Sequence, residues 1–363
     1  MLVAFFLLSV LLAYLATRLA IALSLHRGIL DLPNPRSAHS DPVPRMGGIG
    51  IVAGFYVSIA GLWMLEYLGF TGYGGPSRSV LIVLSACAGM AAVGLYDDLC
   101  HVTPARKFTL QLLLALGVAG LGIRFEDLGI PGGDTLALGT LGLPLTLLWL
   151  TGFSNVYNFM DGINGLAGAT GVVYCGFFAA FAFHQDEREL LAVAVLLMGS
   201  CVGFLFLNFP QARTFMGDTG SLFLGMLFSG MVVLLAQRAS DSGALVGLVL
   251  VCSVYLFDSG FTLLRRIKRH EHIFRAHRTH LYQRLLPTGL SHAKITALYV
   301  LLHSLMGALA MAYMGIAGPV RVWILGIVAM VFLSFALTVY RLENSVARRH
   351  VVSEGKPLGA SKL

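Results

Sequence analysis

Charge is what this sequence has least of: only 12% of its 363 residues are Asp, Glu, Lys or Arg, about half the share of an ordinary water-soluble domain. That is too little to clothe a water-exposed surface, so a soluble fold is excluded. Cysteine is scarce as well. Cys87, Cys100, Cys175, Cys201 and Cys252 are odd in number, lack CxxC spacing and fall mainly in apolar stretches, which argues against a disulfide framework or a zinc site. The glycines follow no Gly-X-Y period, excluding collagen. No internal repeat and no separate soluble domain is found, so nucleic acid has no surface to bind.

Apolar residues are what is abundant, at 57% of the chain with a mean hydropathy of +0.80. Runs of roughly 20 recur from end to end, each able to cross a hydrocarbon layer of about 30 Å. Strands of a membrane barrel would alternate apolar with polar residues. These runs are apolar all round, which predicts an all-α, polytopic integral membrane bundle. Hydropathy places eleven spans near 2–24, 46–68, 79–96, 108–123, 143–159, 165–183, 190–208, 219–237, 244–264, 294–314 and 320–340. The first is too long for a signal-peptide core, and His26, Arg27 and Asp31 follow it instead of a cleavage site, so it reads as a retained helix. Residues 1–341 form the transmembrane domain and 342–363 a basic tail.

Lys and Arg fall unevenly between the loops. One set carries Arg27, Arg36, Arg45, Arg106, Lys107 and Arg213, a further group from Arg265 to Arg284, and the basic tail. The opposite set holds only Arg78, Arg124, Arg188 and Arg238. By the positive-inside rule the first set is cytoplasmic, which puts the N-terminus in the periplasm and the C-terminus inside. The same basic face suits anionic membrane lipid and phosphate-bearing substrates.

Acids, amides and imidazoles gather at that face. The third span ends in Asp97-Asp98, and the fifth runs into Asn155, Asn158, Asp161 and Asn164. The eighth begins at Phe215-Met216-Gly217-Asp218, and the ninth leads to His277-Arg278-Thr279-His280. Adjacent carboxylates repel unless a cation or proton holds them. Oxygen donors without a Cys/His set favour Mg²⁺, or Mn²⁺ in its place. Each motif also has a plainer reading: Asp97-Asp98 as a helix end at the interface, Asp218 as a helix-start residue, the Asn155–Asn158–Asp161 stripe as contacts to neighbouring helices, the histidines as a solvated basic loop. Asp258, deep in the ninth span, is either a pathway residue or a satisfied polar contact.

Together these motifs resemble the polyprenyl-phosphate N-acetylhexosamine-1-phosphate transferases, above all the branch that starts O-antigen and related lipopolysaccharide chains. Phospho-N-acetylmuramoyl-pentapeptide transferase of peptidoglycan synthesis is a more distant relative. The likeness runs from the Asp31-x-Pro33-x-x-Arg36-x-x-His39 loop to His277-x-x-His280. It implies that undecaprenyl phosphate attacks the β-phosphate of a UDP-N-acetylhexosamine and releases UMP, at the cytoplasmic face of a bacterial inner membrane. By the family's motifs Asp97 and Asp98 are the catalytic pair, and Asp218 with Asp98 holds the metal. Asn158, Asp161 and Asn164 line the nucleotide-sugar and metal site, while Phe215 stacks on uracil. Lys107 and Arg45 meet phosphate, and His277, Arg278 and His280 form the diphosphate loop. A homodimer is compatible with this likeness. Three positions depart from the pattern. His101 stands where Asp or Lys is usual, Asn164 replaces an Asp, and His-Arg-Thr-His replaces a His-x-His-His run, which leaves the sugar open. Direct attack and a covalent aspartyl-phosphate route both remain open. A lipid-phosphate transporter would use the same basic face, but should show inverted repeats and broken mid-membrane helices.

Overall fold

The computed structural model describes residues 1–33, 41–131, 135–271 and 278–353, apart from the side chains of 347–353. Among them are α1 (Leu2–Arg27), α2 (Gly48–Tyr67), α3 (Arg78–Cys100), α4 (Pro104–Gly120), α5 (Gly142–Phe159), α6 (Leu166–His184) and α7 (Arg188–Asn208). There follow α8 (Gly217–Arg238), α9 (Ala244–Val251), α10 (Ser253–Lys268), α11 (Leu281–Leu285), α12 (His292–Gly315) and α13 (Val320–Ser353). Two small antiparallel hairpins pair β1 (Leu30–Asp31) with β2 (Val43–Pro44) and β3 (Asp127–Gly129) with β4 (Thr135–Ala137). The all-α membrane class therefore stands.

The expected eleven spans resolve differently. Eight helices, α1, α2, α3, α6, α7, α8, α12 and α13, are long and apolar enough to cross a membrane, and a ninth crossing arises if α9 and α10 count as one. Segments 108–123 and 143–159 are helical as α4 and α5. However, α4 has only 17 residues, and α5 ends in the polar run Ser154, Asn155 and Asn158. The single helix expected over 244–264 is two helices bent by 72° at Cys252. The apolar α9 sits in the bundle, whereas α10 carries Asp258, Arg265, Arg266 and Lys268, charges that a straight continuation through hydrocarbon would penalise. At the break the Ser253 hydroxyl takes up the Leu250 carbonyl at 2.6 Å. The last helix likewise outruns its expected end near 340, since α13 extends to Ser353 into the tail; residues 354–363 lie outside the described residues.

Helix α8 is the centre of the bundle. It is buried over almost its whole length among α2, α3, α5, α6 and α9, the place for a helix that is apolar or small on every side. By contrast, α1 is peripheral. Only the stripe Ser9, Ala13, Thr17, Ala20 and Ser24 is buried, so backbones approach closely there, while Leu7, Leu11, Leu15 and Leu19 face outward.

The crossing of α3 with α8 positions the polar cleft. A Cβ added at Gly94 would fall on the carbonyl of Asp218, so only glycine lets the helices meet this closely. We predict that Gly94→Ala lowers stability by about 1–3 kcal/mol through overpacking. Gly176→Ala, in α6 where an added Cβ meets nothing, is expected to be neutral or slightly stabilising. Thermal melts of the two variants in detergent check this; equal melting temperatures would contradict the tight crossing.

Candidate active site

A helix start leaves backbone N–H groups without intrahelical partners, and at α8 the N-cap residue is Met216, which offers no capping side chain. The cap comes from another helix. Asp98, in the last turn of α3, accepts the Asp218 N–H on Oδ1 at 2.9 Å, and on Oδ2 the Thr219 N–H at 2.9 Å and the Thr219 hydroxyl at 2.7 Å. Arg45 Nε lies 3.1 Å from the same Oδ1. All four lone-pair positions of this carboxylate are thus engaged, and its side chain is 0% exposed. Gly217, at φ +68°, turns the chain into α8 beside it, where a Cβ would collide with the Asp98 oxygens.

Arg45 reaches this point because its loop is stitched to the α8 entry. Phe215 N–H donates to the Pro44 carbonyl at 2.8 Å, and Gly47 and Gly48 N–H donate to the Phe215 and Met216 carbonyls at 2.9 Å. The Phe215 ring is half-buried at the same entry. Residues 34–40 of the first loop, with Arg36 and His39, lie outside the described residues.

The remaining acids face side chains rather than helix starts. Asp97 accepts Val102 N–H on Oδ1 at 2.7 Å and pairs through Oδ2 with Lys107 Nζ at 3.0 Å. Its side chain is 14% exposed, against none for its neighbour. Lys107, from the first turn of α4, bridges Asp97 to Asp218 Oδ2. On its other oxygen Asp218 accepts Asn158 Nδ2 at 3.0 Å and lies 3.8 Å from Arg45 Nη2. Asn158 also donates to Ser221 Oγ at 2.8 Å. The structure therefore brings together Asp97, Asp98, Lys107, Arg45, Asn158 and Asp218 from five separate segments.

Asp161 lies just past the end of α5, so the expected stripe does not continue on one helix. Asn155 turns to Gln111 of α4 at 2.7 Å, Asn158 to Asp218, and the Asp161 carboxylate has no hydrogen-bond partner among the described residues. Withdrawal from water, reinforced by the charges of Asp218 and Asp98 and opposed by Arg45, pushes its carboxyl up to about 7. Asn164 holds its loop in place: its amide donates to the Pro210 carbonyl at 3.1 Å and its carbonyl accepts the Thr296 hydroxyl at 2.9 Å. His280 is buried beside Asp258, Arg278 is half-buried, and His277 lies outside the described residues.

Sequence reasoning missed Thr219 and Asn208. Asn208 accepts Gly165 N–H at 2.8 Å and donates to the Thr214 carbonyl at 2.8 Å, tying the Asp161 loop to the α8 entry. A polar residue at the last position of the apolar α7 was the available signal.

The charge balance bears on what the cleft can hold. Asp97, Asp98, Asp161 and Asp218 face Arg45 and Lys107, four acids against two bases, an excess matching one divalent cation. Among the described residues no group of three Asp, Glu, His or Cys is placed to hold a metal ion. A hard cation such as Mg²⁺ needs none, since it keeps water and substrate phosphates as most of its ligands. One or two carboxylates suffice for such an ion, and Asp218 and Asp161 are near enough to feel each other's charge.

Comparison with known proteins bears on the family. A family model described as glycosyl transferase family 4 matches residues 80–236, the stretch that carries Asp97, Asp98, Asn158, Asp161 and Asp218. A Bacillus subtilis (strain 168) protein named as a probable undecaprenyl-phosphate N-acetylglucosaminyl 1-phosphate transferase is 31% identical over 292 residues, covering 79% of this chain and 78% of its own. Decaprenyl-phosphate N-acetylglucosaminephosphotransferase of Mycobacterium leprae (strain TN) is 31% identical over 312 residues, covering 79% and 77%. Phospho-N-acetylmuramoyl-pentapeptide-transferase of Mycolicibacterium gilvum (strain PYR-GCK) is 32% identical over 248 residues, but covers only 58% of this chain and 68% of its own. With the acidic cleft inside the matched region, this chain belongs to glycosyl transferase family 4, the polyprenyl-phosphate hexosamine-1-phosphate transferases.

Proposed function

We propose that this protein transfers an N-acetylhexosamine 1-phosphate, with N-acetylglucosamine the first candidate, from its UDP derivative to undecaprenyl phosphate and releases UMP. The observation that carries this is the cleft itself: three acids turned to side-chain cations and one whose carboxyl is raised to about 7, gathered at the ends of apolar helices. The reaction would start a lipid-linked surface glycan of the O-antigen or lipopolysaccharide type, in a bacterial inner membrane with the cleft facing the cytoplasm. The peptidoglycan reading is weaker, because that relative matches a smaller part of the chain. The break between α9 and α10 is a feature a transporter would also have. Yet the acids cluster at helix ends rather than along a mid-membrane path, which suits phosphate chemistry at headgroup depth.

Each substrate carries phosphate, so like charges must be brought together before a bond can form. Lys107 and Arg45 supply fixed positive charge on either side of Asp218. A divalent ion held by Asp218 and Asp161 would neutralise the diphosphate and the departing UMP. Asp97 is placed to take a proton from the lipid phosphate or to attack phosphorus itself. In this reading Asp98, expected as a metal ligand, is fully occupied with the start of α8 and acts by holding Asp218 in position. A homodimer is compatible with all of this and required by none of it.

The direct test incubates purified protein with undecaprenyl phosphate, Mg²⁺ and a panel of UDP-N-acetylhexosamines and follows UMP. Release that depends on the lipid and is stopped by EDTA is expected; none from any sugar, with folded protein, would remove the enzymatic reading. Asp218→Asn should cut turnover at least about 100-fold, near 2.7 kcal/mol of transition-state stabilisation, with little change in melting. Asp98→Ala should also lower the melting temperature, because buried N–H groups lose their acceptor at about 1–3 kcal/mol. Acidity provides a further check. Below about pH 7 the Asp161 carboxyl takes up a proton, so the Mg²⁺ concentration for half-maximal rate should rise as pH falls from 7 to 5.5 and level off above 7. Asp161→Asn should need more Mg²⁺ throughout and lose that slope. The same slope in both proteins would detach Asp161 from the cation.

A further inference from the structure

Asp258 is wholly buried in α10, and no step of the proposed reaction uses it. A carboxylate inside a membrane helix is costly unless donors surround it, and here they do so from three directions. Leu281 N–H at 2.8 Å and Tyr282 N–H at 3.2 Å, the opening amides of α11, donate to Oδ1 and Oδ2. The Tyr299 hydroxyl of α12 donates to Oδ2, and the Thr262 hydroxyl approaches Oδ1 at 3.4 Å. His280 Nδ1 lies 3.2 Å from Oδ1.

Helix α11 has five residues, too few to be stable by itself, so its position is imposed by its neighbours: by these contacts at its start and by the Arg284–Glu343 pair to α13 toward its end. From α11 a second set reaches the cleft. The Tyr282 hydroxyl donates to the Phe159 carbonyl at 3.0 Å, at the end of α5 and two residues before Asp161. The Tyr282 ring sits where Gly162 has no side chain, and the His280 ring lies 6.1 Å from that of Phe159. One buried acid thus fixes the segment bearing Arg278 and His280 against the loop bearing Asp161.

We infer that Asp258 is a positioning residue, which holds the Arg278–His280 segment in register with the Asp161–Asn164 loop so that a nucleotide-sugar diphosphate is gripped from both sides. The inference rests on the nucleotide-sugar reading above. A merely stabilising Asp258 would differ in its signature, since loss of folded protein lowers the apparent turnover number and leaves KM unchanged.

The test measures kcat and KM for the UDP-sugar and for undecaprenyl phosphate in the wild type, Asp258→Asn, Tyr282→Phe, His280→Ala and the Asp258→Asn/His280→Ala double variant. Wild-type turnover comes first, and its absence would fail the functional reading and with it any role in that reaction. With active wild type, Asp258→Asn should raise KM for the UDP-sugar about tenfold and KM for the lipid less than twofold. Tyr282→Phe, which cuts the same chain without touching a buried charge, should raise the UDP-sugar KM about threefold. In the His280→Ala background Asp258→Asn should add less than twofold. Amide exchange at Leu281 and Tyr282 should quicken at least tenfold in Asp258→Asn, a readout independent of activity. An unchanged UDP-sugar KM, effects that multiply in the double variant, or amides that stay protected would each overturn the positioning role while leaving the proposed reaction standing.

Discussion

Four donors converge on the Asp98 carboxylate, and the cleft is arranged around that convergence. The amides at the start of α8 are buried against neighbouring elements, and α8 brings no cap of its own. An acceptor must come from a neighbouring helix. A carboxylate on α3 can serve only if the two helices nearly touch, which requires the missing side chains at Gly94 and Gly217. It must also be balanced in charge, which brings in Arg45 and hence the stitching of the 43–48 loop to 214–216. One capping requirement therefore fixes the helix crossing, a loop and the place of Asp218.

With Asp218 so placed, its electrostatics follow from what surrounds it. Lys107 bridges it to Asp97, and Arg45 spans it and Asp98. Two cations cannot neutralise four acids, and one acid without a hydrogen-bond partner among the described residues is raised by withdrawal from water, with the charges of Asp218 and Asp98 added. That group is Asp161, and its carboxyl moves up to about 7. A proton held so weakly near neutrality gives way readily to a cation of higher charge. The cleft thus tolerates its own like charges by leaving one member adjustable.

Much of this was legible in the sequence, and the boundary is instructive. Apolar runs located the long helices because crossing hydrocarbon requires a minimum length of each. They could not count spans where length and polarity conflict, as in the 17-residue α4 and the polar-ended α5. Nor could they show the 72° break at Cys252, which no proline or glycine marks. The acidic motifs stood out because carboxylates are rare in such a chain. What each one touches was hidden, since Asp97 and Asp98 are adjacent in sequence yet turn to different partners. Thr219 and Asn208 escaped notice because a hydroxyl or amide at the end of an apolar run is common and gains meaning only from its partner across the bundle.

Those partners divide the buried acids into two kinds. Asp98 and Asp258 both receive backbone N–H groups at helix starts, each from a helix other than its own. Asp97 pairs with Lys107 and with the Val102 amide, which belongs to no helix; Asp218 is matched to lysine, arginine and asparagine side chains, and Asp161 to none among the described residues. Their side-chain exposure differs only in degree, from 0% at Asp98 to 13% at Asp218 and 14% at Asp97, and cannot by itself say what each is for. The donor can. A backbone amide is fixed by its helix and cannot withdraw, so an acid bound to it is committed to holding that helix. A lysine or asparagine can swing aside when a ligand arrives, and an acid paired to it stays available for exchange. The proposed chemistry accordingly falls to the acids whose partners are able to leave, and the geometry of the cleft to those whose partners are not.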